Sequence, residues 1–134
     1  MRVDGACHCG RITYEAEVDA DNVLICHCTD CQTLSGSAFR TVAPALPGTF
    51  RLLTGAPKTY IKVAESGVER AQVFCADCGS PIYSGPVGGG SSFVGIRVGT
   101  IRQRDRLPPR KQVWCRSAQG WLQQLSSLEK LQTQ

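Results

Sequence analysis

The chain has 134 residues, of which 42% are hydrophobic and 19% charged, and its formal net charge is +4. This length predicts a single domain over residues 1–134, and the composition is that of a globular protein. No apolar run is long enough for a transmembrane helix, and the first residues lack the basic-then-apolar pattern of a signal peptide. We therefore expect a cytosolic protein that binds no membrane.

Cysteine content indicates the class of protein. There are eight cysteines, and a reducing compartment disfavours a disulfide framework. Seven of the eight fall into three short motifs, which favours metal binding, since zinc prefers compact sets of thiolate ligands. These clustered residues are Cys7, Cys9, Cys26, Cys28, Cys31, Cys75 and Cys78.

The first part of the chain predicts a strand and a short helix beside two of these motifs. Residues 11–18 alternate between apolar and polar, which is typical of a half-buried strand. A turn at 19–22 leads into a short strand at 23–25. Thr29 and Asp30 are good helix N-cap types, so a short helix through about Leu34 is predicted.

The rest of the chain is predicted to be mainly β, because turn residues separate short strand-like runs without strand–helix–strand units. The predicted strands cover residues 39–42, 49–53, 59–63, 69–74, 92–98 and 112–115. The tail predicts an amphipathic helix, which we expect to dock on the same chain rather than on a partner. Its apolar residues are Trp121, Leu122, Leu125, Leu128 and Leu131.

The most economical division of the seven clustered cysteines is four plus three. Cys7 and Cys9 would face Cys75 and Cys78 across one zinc, a closed set of ligands that is structural by type. Cys26, Cys28 and Cys31 would hold a second zinc with one position open, as catalytic zinc sites do. The alternative is a single four-cysteine zinc, with the leftover cysteines buried as small apolar residues.

Residues near these motifs have predicted roles of lesser weight. His8 and His27 each lie between two cysteines, so we expect their side chains to point away from the metals. Cys115 is expected in a strand. Arg40 and Arg97 are each either a contact for an anionic substrate tail or an ordinary surface residue.

A zinc ion held by three thiolates favours thiol chemistry. Its net negative charge weakens its ability to acidify water, compared with a site of three histidines. Such a centre suits a substrate thiol at the open position, or it would polarise a carbonyl held there. The spacing therefore favours thiol chemistry over amide hydrolysis.

Three segments together resemble the glutathione-dependent formaldehyde-activating enzyme family, which includes centromere protein V-like proteins. They are Gly5–Gly10 (GACHCG), Cys26–Cys31 (CHCTDC) and Phe74–Ser80 (FCADCGS). The resemblance runs from about Val3 to Trp121. It implies a β-tent, that is, several small coiled antiparallel sheets with short helices, pinned by a structural zinc.

The resemblance also implies site residues and an activity. It implies a structural zinc on Cys7, Cys9, Cys75 and Cys78, and a second, often labile, zinc on Cys26, Cys28 and Cys31. The implied activity is of the carbon–sulfur lyase class, written in reverse: glutathione and formaldehyde join to give S-(hydroxymethyl)glutathione.

The sequence departs from this family near its end, and other functions stay open. Many members carry a histidine where Gln112 precedes Val113 and Trp114, and Ala-Pro-Trp where residues 119–121 are Gln-Gly-Trp. One alternative is a non-catalytic zinc module that binds glutathione or a protein partner. Another is nucleic-acid binding through Arg102–Lys111, but few aromatics accompany those charges, so a solvated loop and no nucleic-acid partner are expected.

Overall fold

Two β-sheets make up most of the computed structural model, which describes residues 1–89 and 93–134. The ten strands in this part of the chain are β1 (Arg2–Ala6), β2 (Thr13–Glu17), β3 (Leu24–Cys26), β4 (Arg40–Ala45), β5 (Arg51–Thr54), β6 (Lys58–Val63), β7 (Glu69–Phe74), β8 (Pro81–Pro86), β9 (Val94–Arg97) and β10 (Lys111–Val113). Helix α1 covers Thr29–Ser35, and short 3₁₀ helices cover 20–22, 98–100, 104–106, 115–117 and 120–127. The prediction of a mainly β fold with short helices is confirmed.

The strands divide unequally between the sheets. One sheet has three strands in the order β1-β2-β5, and the other has seven in the order β10-β3-β4-β9-β8-β7-β6. Neighbours pair antiparallel, except that β10 runs parallel to β3 and places Val113 opposite Cys26. The sequence pattern did not predict this parallel pair, which brings residues 111–113 beside a cysteine motif.

The hydrophobic core lies where the two sheets meet. Alternation along β2 buries Ile12, Tyr14, Ala16 and Val18, each at most 2% exposed, as the sequence predicted. These side chains form one cluster with residues of the larger sheet, including Ile96. Because the core draws on both sheets, it fixes the turns that carry the cysteines.

Several predicted elements differ from the observed ones. The strand at 69–74 is found as predicted, and those at 39–42, 49–53 and 59–63 are found with shifted ends. The sequence missed β1 and β8, and β8 was hidden because Pro81 and Pro86 at its ends resemble turn signals. The strand expected over 92–98 is seen as β9, and Ser92 itself lies outside the described residues.

The tail departs most from expectation. It forms a 3₁₀ helix over Gly120–Ser127, in which Trp121 is 49% and Leu125 46% exposed. The predicted docking of this segment on the same chain is therefore wrong. Among the described residues, no helix combines the length and the apolar character needed to span a membrane.

Candidate metal centres

Sulfurs from two distant turns converge in the four-cysteine cluster, which consists of Cys7, Cys9, Cys75 and Cys78. All four Sγ atoms lie within 4.8 Å of one another. The Sγ of Cys9 is 3.5 Å from that of Cys7 and 3.8 Å from that of Cys75. Zinc–sulfur bonds of about 2.3 Å place the corners of a tetrahedron roughly 3.8 Å apart, so the spacing fits a zinc ion.

Each half of this cluster is a tight turn closed by a glycine. In the first turn, the N–H of Gly10 donates to the Cys7 carbonyl at 3.0 Å, and the N–H of Ile12 donates to the Cys7 Sγ at 3.3 Å. In the second, the N–H of Gly79 donates to the Cys75 carbonyl at 2.8 Å. Gly10 and Gly79 have φ angles of 80° and 76°, which residues with a Cβ rarely adopt.

Hydrogen bonds and mutual repulsion set the acidity of these thiols. Ser80 Oγ accepts from the N–H of His8 at 3.0 Å and lies 3.2 Å from the Cys78 Sγ. This hydrogen bond, together with the backbone N–H groups of Ser80 and Cys9, lowers the pKa of Cys78 to about 5. The backbone N–H of Arg11 lowers the pKa of Cys9, but burial and the neighbouring thiols outweigh it and raise that pKa to about 12. Four thiolates this close need a cation to ionise together, which is the chemistry of a structural zinc site.

The three-cysteine cluster is built where β3 leads into α1, and its members are Cys26, Cys28 and Cys31. Cys26 ends β3 and Cys31 lies in the first turn of α1, and the three Sγ atoms lie within 4.8 Å of one another. Cys28 is the N-cap of α1, because its Sγ accepts a hydrogen bond from the N–H of Cys31 at 3.3 Å. The expectation that Thr29 or Asp30 caps this helix is wrong.

The thiols of Cys26 and Cys31 differ in acidity. The neighbouring Cys31 thiol lowers the pKa of Cys26, and the neighbouring Cys26 raises the pKa of Cys31. Burial adds to the rise in the pKa of Cys31 and opposes, without reversing, the fall in the pKa of Cys26. Full ionisation of the trio therefore requires a cation, and three protein ligands on zinc leave one position for exchange.

Both histidines and the last cysteine lie outside the two clusters in the described part of the chain. His27 is 2% exposed, and its Nε2 lies 2.7 Å from the Oε1 of Gln112 while its ring edge packs on Phe39. His8 is exposed. Cys115 is exposed and begins a 3₁₀ helix, so its predicted place in a strand is wrong.

A pocket of about 270 Å³, which we call the cluster pocket, borders the three-cysteine cluster. Strand register explains its lining, since Cys26 lies opposite Arg40 on β4, and Arg97 on β9 lies opposite Val42. Residues two apart in a strand share a face, as do residues directly opposite in neighbouring strands. The side chains of Cys26, Arg40 and Arg97 therefore project from one face of the sheet.

The two arginines of this pocket are buried, with Arg40 6% and Arg97 8% exposed, so their expected alternative as surface residues is wrong. Arg40 Nη1 and Arg97 Nη2 both donate to the Oε1 of Gln72, at 3.2 and 2.8 Å. The Nε of Arg97 is buried and has no hydrogen-bond partner in the described part of the chain. Burial lowers the pKa of Arg40, and burial together with the charge of Arg40 lowers the pKa of Arg97 to about 9.

Sequence reasoning gave no role at the site to several other side chains of the cluster pocket, among them Lys62, Arg70, Gln72 and Trp114. Trp114 also lines a second pocket beside Cys28, and it has a left-handed backbone with φ of 57° and ψ of 39°, which is uncommon for a large residue. Only Trp114 had a signal in the sequence, as the aromatic of a family motif. Gln72 had none, because a polar residue is ordinary in an alternating strand.

The fold and the two clusters define a class of mainly β proteins with two candidate metal centres, one of them beside a cationic pocket. The family model for the glutathione-dependent formaldehyde-activating enzyme matches residues 2–117. The chain therefore belongs to this family, whose name connects it with glutathione and formaldehyde. None of the curated proteins compared with the chain matches it.

A solved structure supports the fold. The chain is similar to a crystal structure of a Rhodobacter sphaeroides protein, with a TM-score of 0.62 and 20% sequence identity. The similarity covers 82% of this chain and 99% of that one. At this identity the similarity establishes a common fold alone.

Proposed function

We propose that this protein is a zinc-dependent enzyme of the carbon–sulfur lyase type that joins glutathione, or a smaller thiol, to an aldehyde such as formaldehyde. The observation that carries the proposal is the difference between its clusters. Four sulfurs converge in one cluster, whereas three converge in the other, and two of those three line a pocket. Three protein ligands leave one position on a zinc ion open, and the pocket gives a substrate thiol access to that position.

The cysteines divide their work accordingly. Cys7, Cys9, Cys75 and Cys78 would hold a structural zinc, and Cys26, Cys28 and Cys31 would hold the catalytic one. Zinc bound to the three-cysteine cluster would supply a Lewis acid that favours the thiolate form of the substrate. Cys26 and Cys31 present this centre to the cluster pocket, while Cys28 holds the start of α1 in place.

The proposed reaction is the addition of a thiol to a carbonyl. The S–H bond of the thiol and the π bond of the aldehyde break, a C–S bond forms, and the carbonyl oxygen takes up the proton. The product is a hydroxymethyl thioether when the aldehyde is formaldehyde. Val113, at the end of β10, and Trp114, directly after it, line this pocket.

The test is to measure metal content and turnover on the same sample. Native mass spectrometry should find two zinc ions per chain, and NMR should find S-(hydroxymethyl)glutathione formed faster than in buffer alone. Cys115→Ser is the matched control, since this cysteine lies outside both clusters. One firmly bound zinc and no rate above the buffer reaction would leave the alternative, a non-catalytic zinc module that binds glutathione or a protein.

A single domain over residues 1–134 and a cytosolic location complete the proposal. The clustered cysteines, which are all free, support the cytosolic location, because a reducing compartment keeps thiols available for metal rather than for disulfides.

A further inference from the structure

Two buried positive charges beside the three-cysteine cluster lack a carboxylate. Among the ion pairs of the described residues, none involves Arg40 or Arg97. The described residues that line the cluster pocket include no aspartate or glutamate. Buried guanidinium groups are strongly destabilising without an anionic partner, so this arrangement needs a reason.

The other charged groups around the pocket do not neutralise the positive charges of Arg40 and Arg97. Lys62 already pairs with Asp30 at 3.0 Å, so the two cancel. Arg70 lies over the ring of Phe93 and donates to its carbonyl at 3.3 Å, which adds a further positive charge. Three thiolates around a divalent cation carry one negative charge, which leaves the two buried arginines with one positive charge in excess.

The geometry of the arginine pair suits a planar anion. Gln72 accepts one hydrogen bond from each guanidinium and so holds the two groups next to each other. Its single Oε1 accepts only one N–H from each guanidinium, and the Nε–H of Arg97 also has no partner among the described residues. Guanidinium groups bind carboxylates through parallel N–H···O bonds, which gives orientation as well as affinity.

The arginines also connect two cavities. Leu34, Arg40, Gln72 and Arg97 line both the cluster pocket and a neighbouring pocket of about 360 Å³. A molecule bound to the arginines therefore has the cysteine sulfurs on one side and this larger, mainly apolar pocket on the other. That pocket contributes Tyr60 and Tyr83 to its lining.

We propose that Arg40 and Arg97, held together by Gln72, form a binding site for a carboxylate of the small-molecule substrate, whose reacting group lies against the three-cysteine cluster. The identity of the reacting group rests on the function proposed above, whereas binding of the carboxylate does not require turnover. The site therefore selects substrates that carry both a thiol and a carboxylate over neutral thiols.

Matched probes test this proposal on the full chain loaded with zinc. Calorimetric titration should show that 3-mercaptopropionate binds at least about tenfold more tightly than 2-mercaptoethanol, since a hydrogen bond to a charged group is worth that much. In Arg97→Gln this preference should fall to less than about twofold, and Arg97→Lys should restore part of it. Arg106→Gln, at an exposed arginine outside the pocket, should retain the full preference.

Stability provides a second measurement on the same variants. Because the buried charge lacks a partner, we expect Arg97→Gln to melt at or above the temperature of the native chain. If Arg97→Gln does not fold, the melting temperature of the native chain with added ligand tests the proposal instead. Propionate, which has no thiol, should then raise the melting temperature more than 2-propanol does at equal concentration.

Three outcomes would overturn the proposal. These are equal affinity of the native chain for the two thiols, an unchanged preference in folded Arg97→Gln, and inorganic phosphate binding as tightly as the carboxylate. Loss of the second zinc in Arg97→Gln without any native preference would show that the arginines only balance the charge of the metal centre. A carboxylate preference that Arg97→Gln abolishes, in a protein without turnover, would retain this site and reject the proposed enzyme.

Discussion

The two cysteine clusters have the same type of ligand but are assembled differently. The four-cysteine cluster joins residues 7–9 to residues 75–78, whereas the three-cysteine cluster takes all its sulfurs from residues 26–31. A metal that closes a long loop constrains the unfolded chain more than one bound locally. Local thiols also bind metal in the unfolded chain, which reduces the stabilisation gained on folding. We therefore expect the first metal to support the fold and the second to exchange.

Substitution of Cys75, which is fully buried, should break this comparison on the structural side. We expect Cys75→Ser to lose the first zinc and unfold, because structural zinc binding of about 10–16 kcal/mol rivals the whole stability of a domain. Circular dichroism and native mass spectrometry measure both effects. Cys115→Ser should match the native chain, and a Cys75→Ser protein that melted normally would reject the structural role.

Substitution of Cys28 should have a smaller effect on folding and a large one on activity. Cys28→Ser removes a metal ligand, so the variant should lose the second zinc and its turnover. Because serine is also a good helix N-cap, the variant should still melt within roughly 5 °C of the native chain. Activity assays beside a thermal melt provide the measurement. If Cys28→Ser and Cys75→Ser behaved alike in zinc content and melting, the four-plus-three division would be wrong.

Chelator titration should sharpen the comparison without any substitution. We expect one zinc per chain to leave at low chelator concentration with no change in circular dichroism, and the other to leave only as the strands unfold. A colorimetric zinc indicator follows release while circular dichroism follows the fold. Simultaneous release of both ions would mean that the clusters are energetically equivalent.

The smallest predicted effect separates the two roles of Cys28. Its sulfur is both a candidate metal ligand and the N-cap of α1. Both Cys28→Ser and Cys28→Ala remove the ligand, but only serine retains a cap, so the alanine variant should be less stable by about 1 kcal/mol. Urea denaturation of the two metal-depleted variants measures the difference, and equal midpoints would contradict the capping role.

Much of the molecule was predictable because local patterns determine it. Alternation predicted the buried face of β2, and the spacing of the cysteines predicted both groups of sulfurs that the structure brings together. Gly10 and Gly79 directly follow these cysteine pairs in the sequence, and both have a positive φ in the folded chain, which glycine adopts at little cost.

What the sequence could not predict depends on pairing between distant strands. Arg40 reaches the cluster pocket because β4 pairs with β3 in a register that places it opposite Cys26. Gln72 joins the arginines only because β7 belongs to the same sheet. Neither register leaves a trace in local composition, so burial of the arginines and the role of Gln72 became evident only in the folded chain.

The parallel pairing of β10 with β3 has a consequence for biosynthesis. A ribosome makes the cysteines at 26–31 early, but the strand that lies beside them, Lys111–Val113, is made more than eighty residues later. Until then the nascent chain carries three thiols without the strand that lies beside them in the folded chain. We therefore expect these sulfurs to be more open to oxidants and competing metals before this strand is made than in the folded chain.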